Sequence, residues 1–528
     1  MKKNFKFSIF NFQFFAVGFI LLLASFLRLY RIADYMTFLG DEGRDVLVVY
    51  NILHGHLTLL GPTSSVGGFF LGPIYYYFMA PFLLLFNYNP VGPAVMVALI
   101  GVLTVFLIYK FTNEFFNKKV ALIAALLYSI SPIVISYSRS SWNPNPLPFF
   151  SLLILFLLYK AELKNKIKYL FLLGILFGIA MQLHYLATFL GVIILSYVLF
   201  INLIKIERNV FSKVLKICKE YVYIFLGFLI GWSPFLAFEV RHGFPDFKNI
   251  SNFILHSGNT GANGNYFQIV GDVFFRLFAR LVFAFPQSDQ FHWFDKSIIN
   301  LWTAFSLIVA LFSIWFLIKN FYNSFKEKAQ DLNKYLLLFL WFFVGVLLFG
   351  FYKKSIYEYY FAFMFPLPFI LVAGFIDELR NFKKNKIFLI LSAVIFIVLV
   401  LLNIQGVPFR YPPNRQLNQM KTIADFVMTK TNAKPFNFAL ISGGNSDYAY
   451  RYFFTIWNHS PITIQYPGVD PKRKTITDQL LVVCESPLPC SPVGNSLWEI
   501  AGFGQAEIQD HWTVSVVEVY KLIHYKGK

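Results

Sequence analysis

The sequence is poor in charge for its length. Only 14% of its 528 residues are charged, whereas an ordinary soluble protein carries about 25%. Hydrophobic residues make up 57% of the chain, and 66 of its residues are Phe. This balance excludes an ordinary soluble globular protein and indicates a polytopic membrane protein, because long apolar runs are what a bilayer core requires.

Two further features that are missing or scarce in the sequence limit the possible functions. No Gly-rich phosphate loop follows a strand-like run, so the usual nucleotide-binding fingerprint is missing from the sequence. Cysteine is scarce, and Cys484 and Cys490 stand close together in the tail, which leaves a local disulfide and two free thiols both open. The net charge of +19 does not indicate nucleic acid, because the lysines lie in short loops between apolar runs.

Apolar runs of about 20 residues predict an all-α polytopic domain over residues 1–405, with about eleven transmembrane helices. The first run, Ile9–Tyr30, is too long for a signal peptide and is expected to be a retained helix that starts in the cytoplasm. We expect Leu71–Phe86 to lie along the membrane surface, because the later basic loops then face the cytoplasm. The remaining predicted spans are Pro90–Lys110, Val120–Ser136, Pro146–Tyr159, Tyr169–Met181, Tyr185–Asn202, Tyr221–Phe238, Ile298–Ile318, Tyr335–Phe351, Tyr357–Ile376 and Ile387–Ile404.

The composition changes after Gln405, where proline-rich stretches form a linker. A short helix and three strand-like runs predict a small α/β domain over residues 406–528; the runs are Phe438–Ile441, Leu480–Val483 and Val514–Tyr520. An odd number of spans would place this domain outside the cytoplasm. Between the spans, a larger outside segment is expected to contain an amphipathic surface helix, Tyr266–Phe285, with Asp272, Arg276 and Arg280 on one face.

A dense acidic cluster follows the first apolar run, in the first outside loop, residues 31–89. Its sequence is Leu39-Gly40-Asp41-Glu42-Gly43-Arg44-Asp45. Asp45 comes one helical turn after Asp41, and Arg44 is within reach of all three acids. Apolar walls would raise the pKa of such a carboxylate, and Arg44 would lower it. The balance of these two effects determines whether the carboxylate can act as a general base. Helix capping is the alternative, because acids suit a helix N-terminus.

The order of these features resembles the integral-membrane glycosyltransferases of superfamily C, which include protein O-mannosyltransferases and lipid A aminoarabinose transferases. The pattern Asp41-Glu42-x-Arg44, followed by a helical Val46–Leu53 and Gly55, is similar to the first-loop motif of the bacterial branch. In that family the acidic pair is the catalytic site and the donor is a sugar on a polyprenyl phosphate. The resemblance implies that Asp41 is the general base and that Glu42 assists or orients, with Arg44 and Asp45 as neighbouring substrate contacts.

A second segment, Tyr137–Pro146, corresponds to a Ser-Arg-rich turn of the same family. Relatives often carry an acid where this chain has Asn143, and this departure weakens any claim of a metal held between two carboxylates. Arg139 is predicted to bind phosphate, because its planar donors match that group. Anchoring at the membrane interface is the alternative for Arg139.

The remaining expected substrate contacts also lie on the outer side. Pro73, Tyr75 and Tyr76 follow the family's Pro-aromatic pattern without the Lys of some relatives, and they would shape a carrier-lipid groove or only an aromatic belt. His184 interrupts a long apolar run and is expected at a cavity or as an ordinary satisfied polar group. Lys353 and Lys354, beside Tyr357, break the positive-inside trend and are predicted to contact phosphate or pyrophosphate.

The sequence therefore predicts an inverting glycosyltransferase of the cytoplasmic (inner) membrane. It would move a hexose or pentose from a polyprenyl phosphate to a hydroxyl of a glycan, glycolipid or protein acceptor. The sequence assigns no cofactor and no metal ligand, and it leaves a divalent cation open. The alternatives are a lipid-linked polysaccharide polymerase or ligase, a transporter or flippase, and a non-catalytic scaffold. Acids gathered at one surface, with nearly charge-free spans, favour the enzyme.

Overall fold

The protein is described here by a computed structural model that covers residues 12–64, 68–204, 210–256, 264–327, 331–352, 354–485 and 488–527. Helices dominate the first 405 residues. They are α1 Phe12–Leu29, α2 Ile32–Tyr35, α3 Gly40–Leu53, α4 Ile74–Leu85, α5 Val91–Phe115, α6 Lys118–Ile130, α7 Pro132–Tyr137, α8 Leu147–Lys164, α9 Lys168–Leu183, α10 Ala187–Ile204, α11 Val210–Gly231, α12 Ser233–His242, α13 Pro245–His256, α14 Tyr266–Val282, α15 Lys296–Lys326, α16 Leu332–Leu347, α17 Pro366–Asn381 and α18 Lys386–Gln405.

Five helices of the described residues are long and apolar enough to cross a membrane, and two bent helix pairs raise that number to seven. The five are Val91–Phe115, Ala187–Ile204, Lys296–Lys326, Leu332–Phe351 and Lys386–Gln405. The bent pairs are α11 with α12, at 73°, and a 3-10 segment, Glu358–Met364, with the helix that follows it, at 59°. The expected count of about eleven spans is therefore not confirmed.

Proline explains part of the difference. The predicted span Val120–Ser136 is divided into α6 and α7 at Ser131, which adopts an extended conformation before Pro132. A residue that precedes proline is driven out of the helical region by a steric clash. The predicted span Tyr357–Ile376 also bends, between the 3-10 segment and the helix that begins at Pro366; here the residue before the proline, Phe365, stays helical, and the non-helical backbone is at Phe361.

The helix of the first loop that was expected along the membrane surface is α4. Its 12 residues extend about 18 Å at 1.5 Å per residue, which is shorter than the roughly 30 Å of a hydrocarbon core. This length is consistent with the prediction that the segment does not cross the membrane.

The tail folds around a four-stranded sheet. Its elements are α19 Gln416–Thr431, β1 Asn437–Ile441, α20 Tyr448–Ile456, β2 Gln479–Cys484, α21 Trp498–Ala501, β3 Ala506–Val514 and β4 Val517–His524. The strand order is β1-β2-β4-β3, with β1 parallel to β2 and the other pairs antiparallel. Cys484 and Cys490 form a disulfide. The predicted strand Val514–Tyr520 is wrong in its bounds, because it runs across the β3–β4 turn, where Ser515 has a left-handed backbone.

The tail and the membrane helices share one hydrophobic core. Phe38, between α2 and α3, is fully buried and packs edge-on against the rings of Tyr452 and Phe453 of α20. The backbone N–H of Arg415 donates to the carbonyl of Asp34 at 2.9 Å. The segment that carries the acidic cluster is therefore clamped between the membrane helices and the tail.

Candidate active site

The acidic pair lies in the first turn of α3, because this helix begins at Gly40 instead of the predicted Val46. Leu39 is the extended residue that precedes the helix, and its N–H donates to Oε2 of Glu42 at 3.1 Å. The capping role that the sequence left open is thus present in Glu42. A negative side chain here also interacts favourably with the positive end of the helix dipole.

Asp41 is the exposed member of the pair. Its side chain is 58% exposed, and Oδ1 accepts from Nη1 of Arg44 at 2.9 Å. Arg44 also contacts Oδ1 of buried Asp45, at 2.8 Å from Nη2. Arg44 thus bridges two carboxylates one turn apart. Glu42 instead accepts from the Leu39 N–H. The prediction that Arg44 contacts all three acids is therefore wrong for Glu42.

The three carboxylates differ in how far they are buried. Glu42 is only 7% exposed, and desolvation raises its pKa to about 7. Desolvation also raises the pKa of Asp45, to about 6, against the opposing effect of the Arg44 guanidinium. The site therefore holds one exposed carboxylate paired with Arg44 beside two buried ones that protonate near neutrality.

A cavity of about 560 Å³ opens beside the start of α3. This volume lies within the usual range for small-molecule sites, roughly 300–1,000 Å³. Its walls come from three parts of the chain: the first loop, the segment 136–145 and the tail. The lining residues are Thr37, Leu39, Gly40, Asp41, Glu42, Ser136, Tyr137, Ser140, Trp142, Asn145, Gly444, Asn445 and Ser446.

Asn145 is a cavity residue that sequence reasoning missed. Its Nδ2 donates to the carbonyl of Ser140 at 2.8 Å, while its buried Oδ1 has no hydrogen-bond partner within the described residues. A buried carbonyl oxygen in this state is costly unless a ligand or water donates to it. Asn145 therefore holds an unpaired buried acceptor at the wall of the cavity.

Arg139 does not take the predicted position of a phosphate ligand. Its side chain is 1% exposed, and its two terminal nitrogens donate to the carbonyls of Leu27 and Tyr30 at 2.9 and 2.8 Å. The guanidinium also lies over the rings of Tyr35 and Phe409. These carbonyls are the unpaired acceptors at the end of α1, so Arg139 closes that helix end.

The predicted aromatic residues of the first loop stand behind the acidic pair. Pro73 is buried at the start of α4. Tyr76 donates from its hydroxyl to Oδ1 of Asp45 at 3.2 Å, and the hydroxyls of Tyr75 and Ser141 lie 2.8 Å apart. These residues support the walls of the cavity without lining it.

Asn143 and His184 form a supporting layer farther from the acids. Asn143 donates to the carbonyl of Leu183 at 2.6 Å. His184 is buried, desolvation lowers its pKa to about 3, and its ring lies 5.7 Å from that of Tyr359. Tyr359 in turn packs on Trp142, a cavity residue, at 4.3 Å between rings. His184 is thus a neutral group one aromatic layer away from the cavity.

The predicted basic pair is only partly described. Lys353 lies outside the described residues. The Lys354 ammonium lies 5.8 Å from the centre of the Phe253 ring. Tyr357 is exposed and stacks on Tyr359 at 5.8 Å, so an aromatic path joins it to Trp142 and the cavity. Neither Lys354 nor Tyr357 lines the cavity itself.

Two arginines of α14 form buried ion pairs next to the cavity, a contact that the sequence did not identify as functional. Arg276 and Arg280 both contact Oε1 of Glu358, at 3.2 and 3.6 Å. Their side chains are largely buried, and both act electrostatically on Tyr137, which lines the cavity. The spacing of four residues had indicated only an amphipathic face, because the partner Glu358 is distant in sequence.

No group of three or more His, Cys, Asp or Glu side chains in the described ranges is placed to hold a metal ion. The cavity itself contains one acidic pair, and one of its members is occupied by the helix cap.

A family model for dolichyl-phosphate-mannose-protein mannosyltransferases matches residues 71–238. No curated protein matches the chain. Among solved structures, the fold is similar to ArnT from Cupriavidus metallidurans bound to undecaprenyl phosphate, with a TM-score of 0.59 at 12% identity over 97% of this chain and 98% of that one. It is also similar to the oligosaccharyltransferase AglB from Archaeoglobus fulgidus in complex with an inhibitory peptide and a dolichol-phosphate, with a TM-score of 0.52 at 13% identity over 89% of this chain and 69% of that one.

These similarities confirm the resemblance to the polyprenyl-phosphate-dependent glycosyltransferases of superfamily C. The chain has the fold of these two structures. The family match begins after the acidic cluster, so the roles of Asp41 and Glu42 depend on the geometry described above.

The Arg44–Asp45 pair yields a stability prediction. Arg44→Gln should lower the free energy of unfolding by about 3–5 kcal/mol, because it leaves a buried carboxylate without its counter-charge. The double variant Arg44→Gln with Asp45→Asn should recover most of that loss. Thermal unfolding in detergent measures both.

The matched control is Arg31→Gln, which breaks the exposed Arg31–Asp34 pair and should cost at most about 1 kcal/mol. Equal losses from Arg31→Gln and Arg44→Gln, or no recovery in the double variant, would contradict the buried-pair interpretation.

Proposed function

We propose that the protein transfers a sugar from a polyprenyl-phosphate carrier to an acceptor hydroxyl, with inversion at the anomeric carbon, on the outer face of the cytoplasmic membrane. The observation that carries this proposal is the exposed Asp41 carboxylate in a sugar-sized cavity between membrane helices and the tail. The fold similarity to proteins bound to lipid phosphates supports it.

The proposed reaction is a single displacement. The Asp41 carboxylate takes the proton of the acceptor hydroxyl while that oxygen forms a bond to the anomeric carbon. The bond from the anomeric carbon to the phosphate oxygen breaks at the same time, and its electron pair leaves with the phosphate on the lipid carrier. One base suffices for such an inverting transfer, because the donor supplies its own leaving group.

Arg44 and Glu42 hold Asp41 in position for the proposed reaction. The Arg44 guanidinium pairs with the Asp41 carboxylate at 2.9 Å and restricts its direction. Glu42 fixes the first turn of α3 through the Leu39 N–H, which sets the direction of the adjacent Asp41 side chain. Glu42 is therefore an orienting residue in this proposal.

Arg276 and Arg280 are proposed to stabilise the leaving phosphate. The two guanidiniums share Glu358, and Arg276 also pairs with Asp272 at 3.0 Å, so the charges of this group balance in the structure. A donor phosphate beside Tyr137 would interact with the two guanidiniums in competition with these carboxylates. Charge on the leaving oxygen grows in the transition state, and fixed cations nearby stabilise it. Lys353 and Lys354 remain proposed phosphate contacts as well.

The placement in the membrane is also proposed. The basic loops that follow the spans would face the cytoplasm under the positive-inside rule, which puts residues 31–89 and the domain 406–528 outside. The N-terminus would be cytoplasmic. The transferred sugar would be a hexose or a pentose, and the acceptor a glycan, a glycolipid or a protein.

The direct test is transfer from labelled polyprenyl-phosphate sugars by the purified protein in detergent. Asp41→Asn should lower kcat by about 10²–10⁴-fold, because general-base catalysis typically contributes that much. Asp34→Asn is the matched control, since Asp34 is a partly exposed acid of the same loop outside the cavity. Full transfer by Asp41→Asn, or no transfer from any polyprenyl donor by the wild type, would overturn the proposal.

A pH prediction follows from Glu42. Its pKa of about 7 means that it gains a proton as the pH falls through neutrality, and the neutral acid is a weaker acceptor for the Leu39 N–H. We therefore expect kcat/KM to decrease below about pH 7. Glu42→Gln should lack this step, because its amide does not titrate. A step that persists unshifted in Glu42→Gln would assign it to another group.

The proposed role of Arg280 predicts a change in donor use. Arg280→Gln should raise the KM for the donor by about tenfold or more, because a charge-assisted hydrogen bond contributes about 1.5–3 kcal/mol. The KM for the acceptor should change little. Arg280→Lys, which keeps the charge, should lose less. A change confined to the acceptor KM would contradict the assignment.

A further inference from the structure

Two glycines flank the acidic pair, and both meet the tail. A Cβ added at Gly40 would lie 2.0 Å from Oγ and 2.8 Å from the backbone N of Ser446. A Cβ added at Gly43 would lie 2.3 Å from the backbone N and 2.4 Å from the Cα of Ala449. Neither glycine has a left-handed backbone, so what these positions require is space. They allow the backbone of the tail to approach the first turn of α3.

A hydrogen-bonded chain fixes this approach. The Gly40 N–H, which is unpaired within the helix, donates to Oδ1 of Asn445 at 2.8 Å. Nδ2 of Asn445 donates to Glu485, at 2.9 Å to Oε2, and the hydroxyl of Tyr450 donates to Oε1 of Glu485 at 2.7 Å. Glu485 directly follows β2, whose residues are all buried. The first turn of α3 is therefore tied to the sheet of the tail.

The same segment is anchored on its other side. Phe38 is buried against α20, and its N–H donates to Oε1 of Gln416, the first residue of α19, at 3.2 Å. The tail thus contacts the chain both before and after Asp41. Residues 444–446 of the tail also form the cavity wall that faces the acidic pair.

We propose that the tail is a structural part of the active site, with Asn445 and Glu485 as positioning residues that set the direction of Asp41. This inference rests on the proposed function, because it assigns to these residues an effect on the transfer step. A catalytic carboxylate that is displaced by about 1 Å can lose about 100-fold in rate. Asn445 donates to Glu485 and accepts from the Gly40 N–H, and Glu485 also accepts from the Tyr450 hydroxyl. Asn445 lines the cavity as well, so a positioning role is expected to lower kcat much more than it changes the donor KM.

The test uses the full-length protein in detergent with a labelled polyprenyl-phosphate sugar as the donor. Asn445→Ala should lower kcat by about tenfold or more, with the donor KM within about twofold of the wild-type value. Glu485→Gln keeps the shape of the side chain and should give a smaller loss in the same direction. Gln505→Ala is the matched control, an exposed amide of the same tail, and should behave like the wild type.

Substitutions at the glycines provide a second, independent test of the inference. Gly43→Ala should reduce kcat, because its Cβ forces α3 away from Ala449, whereas Gly18→Ala in α1 adds a Cβ with no atom within 4 Å and should leave transfer unchanged. Asn445→Asp adds a negative charge near Glu42, so it should move the neutral step of the pH profile to higher pH. A change of fold alone would not move that step.

The outcomes separate this inference from the proposed function. If Asp41→Asn is inactive while Asn445→Ala and Glu485→Gln keep the wild-type kcat and pH profile, the tail does not position Asp41 and the inference is wrong. If Asp41→Asn is fully active, the proposed function is wrong, and the inference that rests on it is wrong as well. If Asn445→Ala does not fold, the kcat and pH profile of Glu485→Gln decide, and wild-type values for both would overturn the inference.

Discussion

The close approach of the tail to the first turn of α3 is the constraint on which the site depends. It requires the missing side chains of Gly40 and Gly43, and the donor at the start of the helix is satisfied by Asn445, 405 residues farther along the chain. The membrane helices alone would leave this turn with unpaired N–H groups and no cavity wall opposite Asp41. The site therefore exists only where two parts of the chain that are distant in sequence meet.

Electrostatics follow from that geometry. Glu42 is buried while Asp41 is open to the cavity, so two adjacent acids of similar intrinsic pKa lie in different environments. The buried Asp45 holds Arg44 in position, and Arg44 in turn pairs with Asp41. The arginines of α14 act electrostatically on Tyr137, another cavity residue. In the proposed displacement, Asp41 is the base and these arginines stabilise the leaving phosphate.

The sequence was most informative where the information is local. The acidic cluster, α4 and strands β1 and β2 could be predicted from short-range patterns, and the resemblance to superfamily C is confirmed. What could not be predicted depends on distant partners. Arg139 was assigned to a ligand because nothing in its neighbourhood shows that the carbonyls of α1 lie beside it. Strand β3 is an exposed edge with a register shift, so it lacks the apolar alternation of a buried strand.

The central claim is that one exposed carboxylate drives a single displacement. The anomeric configuration of the product tests this claim most directly. With a polyprenyl-phosphate sugar of known configuration as the donor, the anomeric proton of the transferred sugar in an NMR spectrum reports the outcome. The account predicts inversion. Retention would contradict it, because retention requires a protein nucleophile and a glycosyl-enzyme intermediate in place of Asp41 acting as a base.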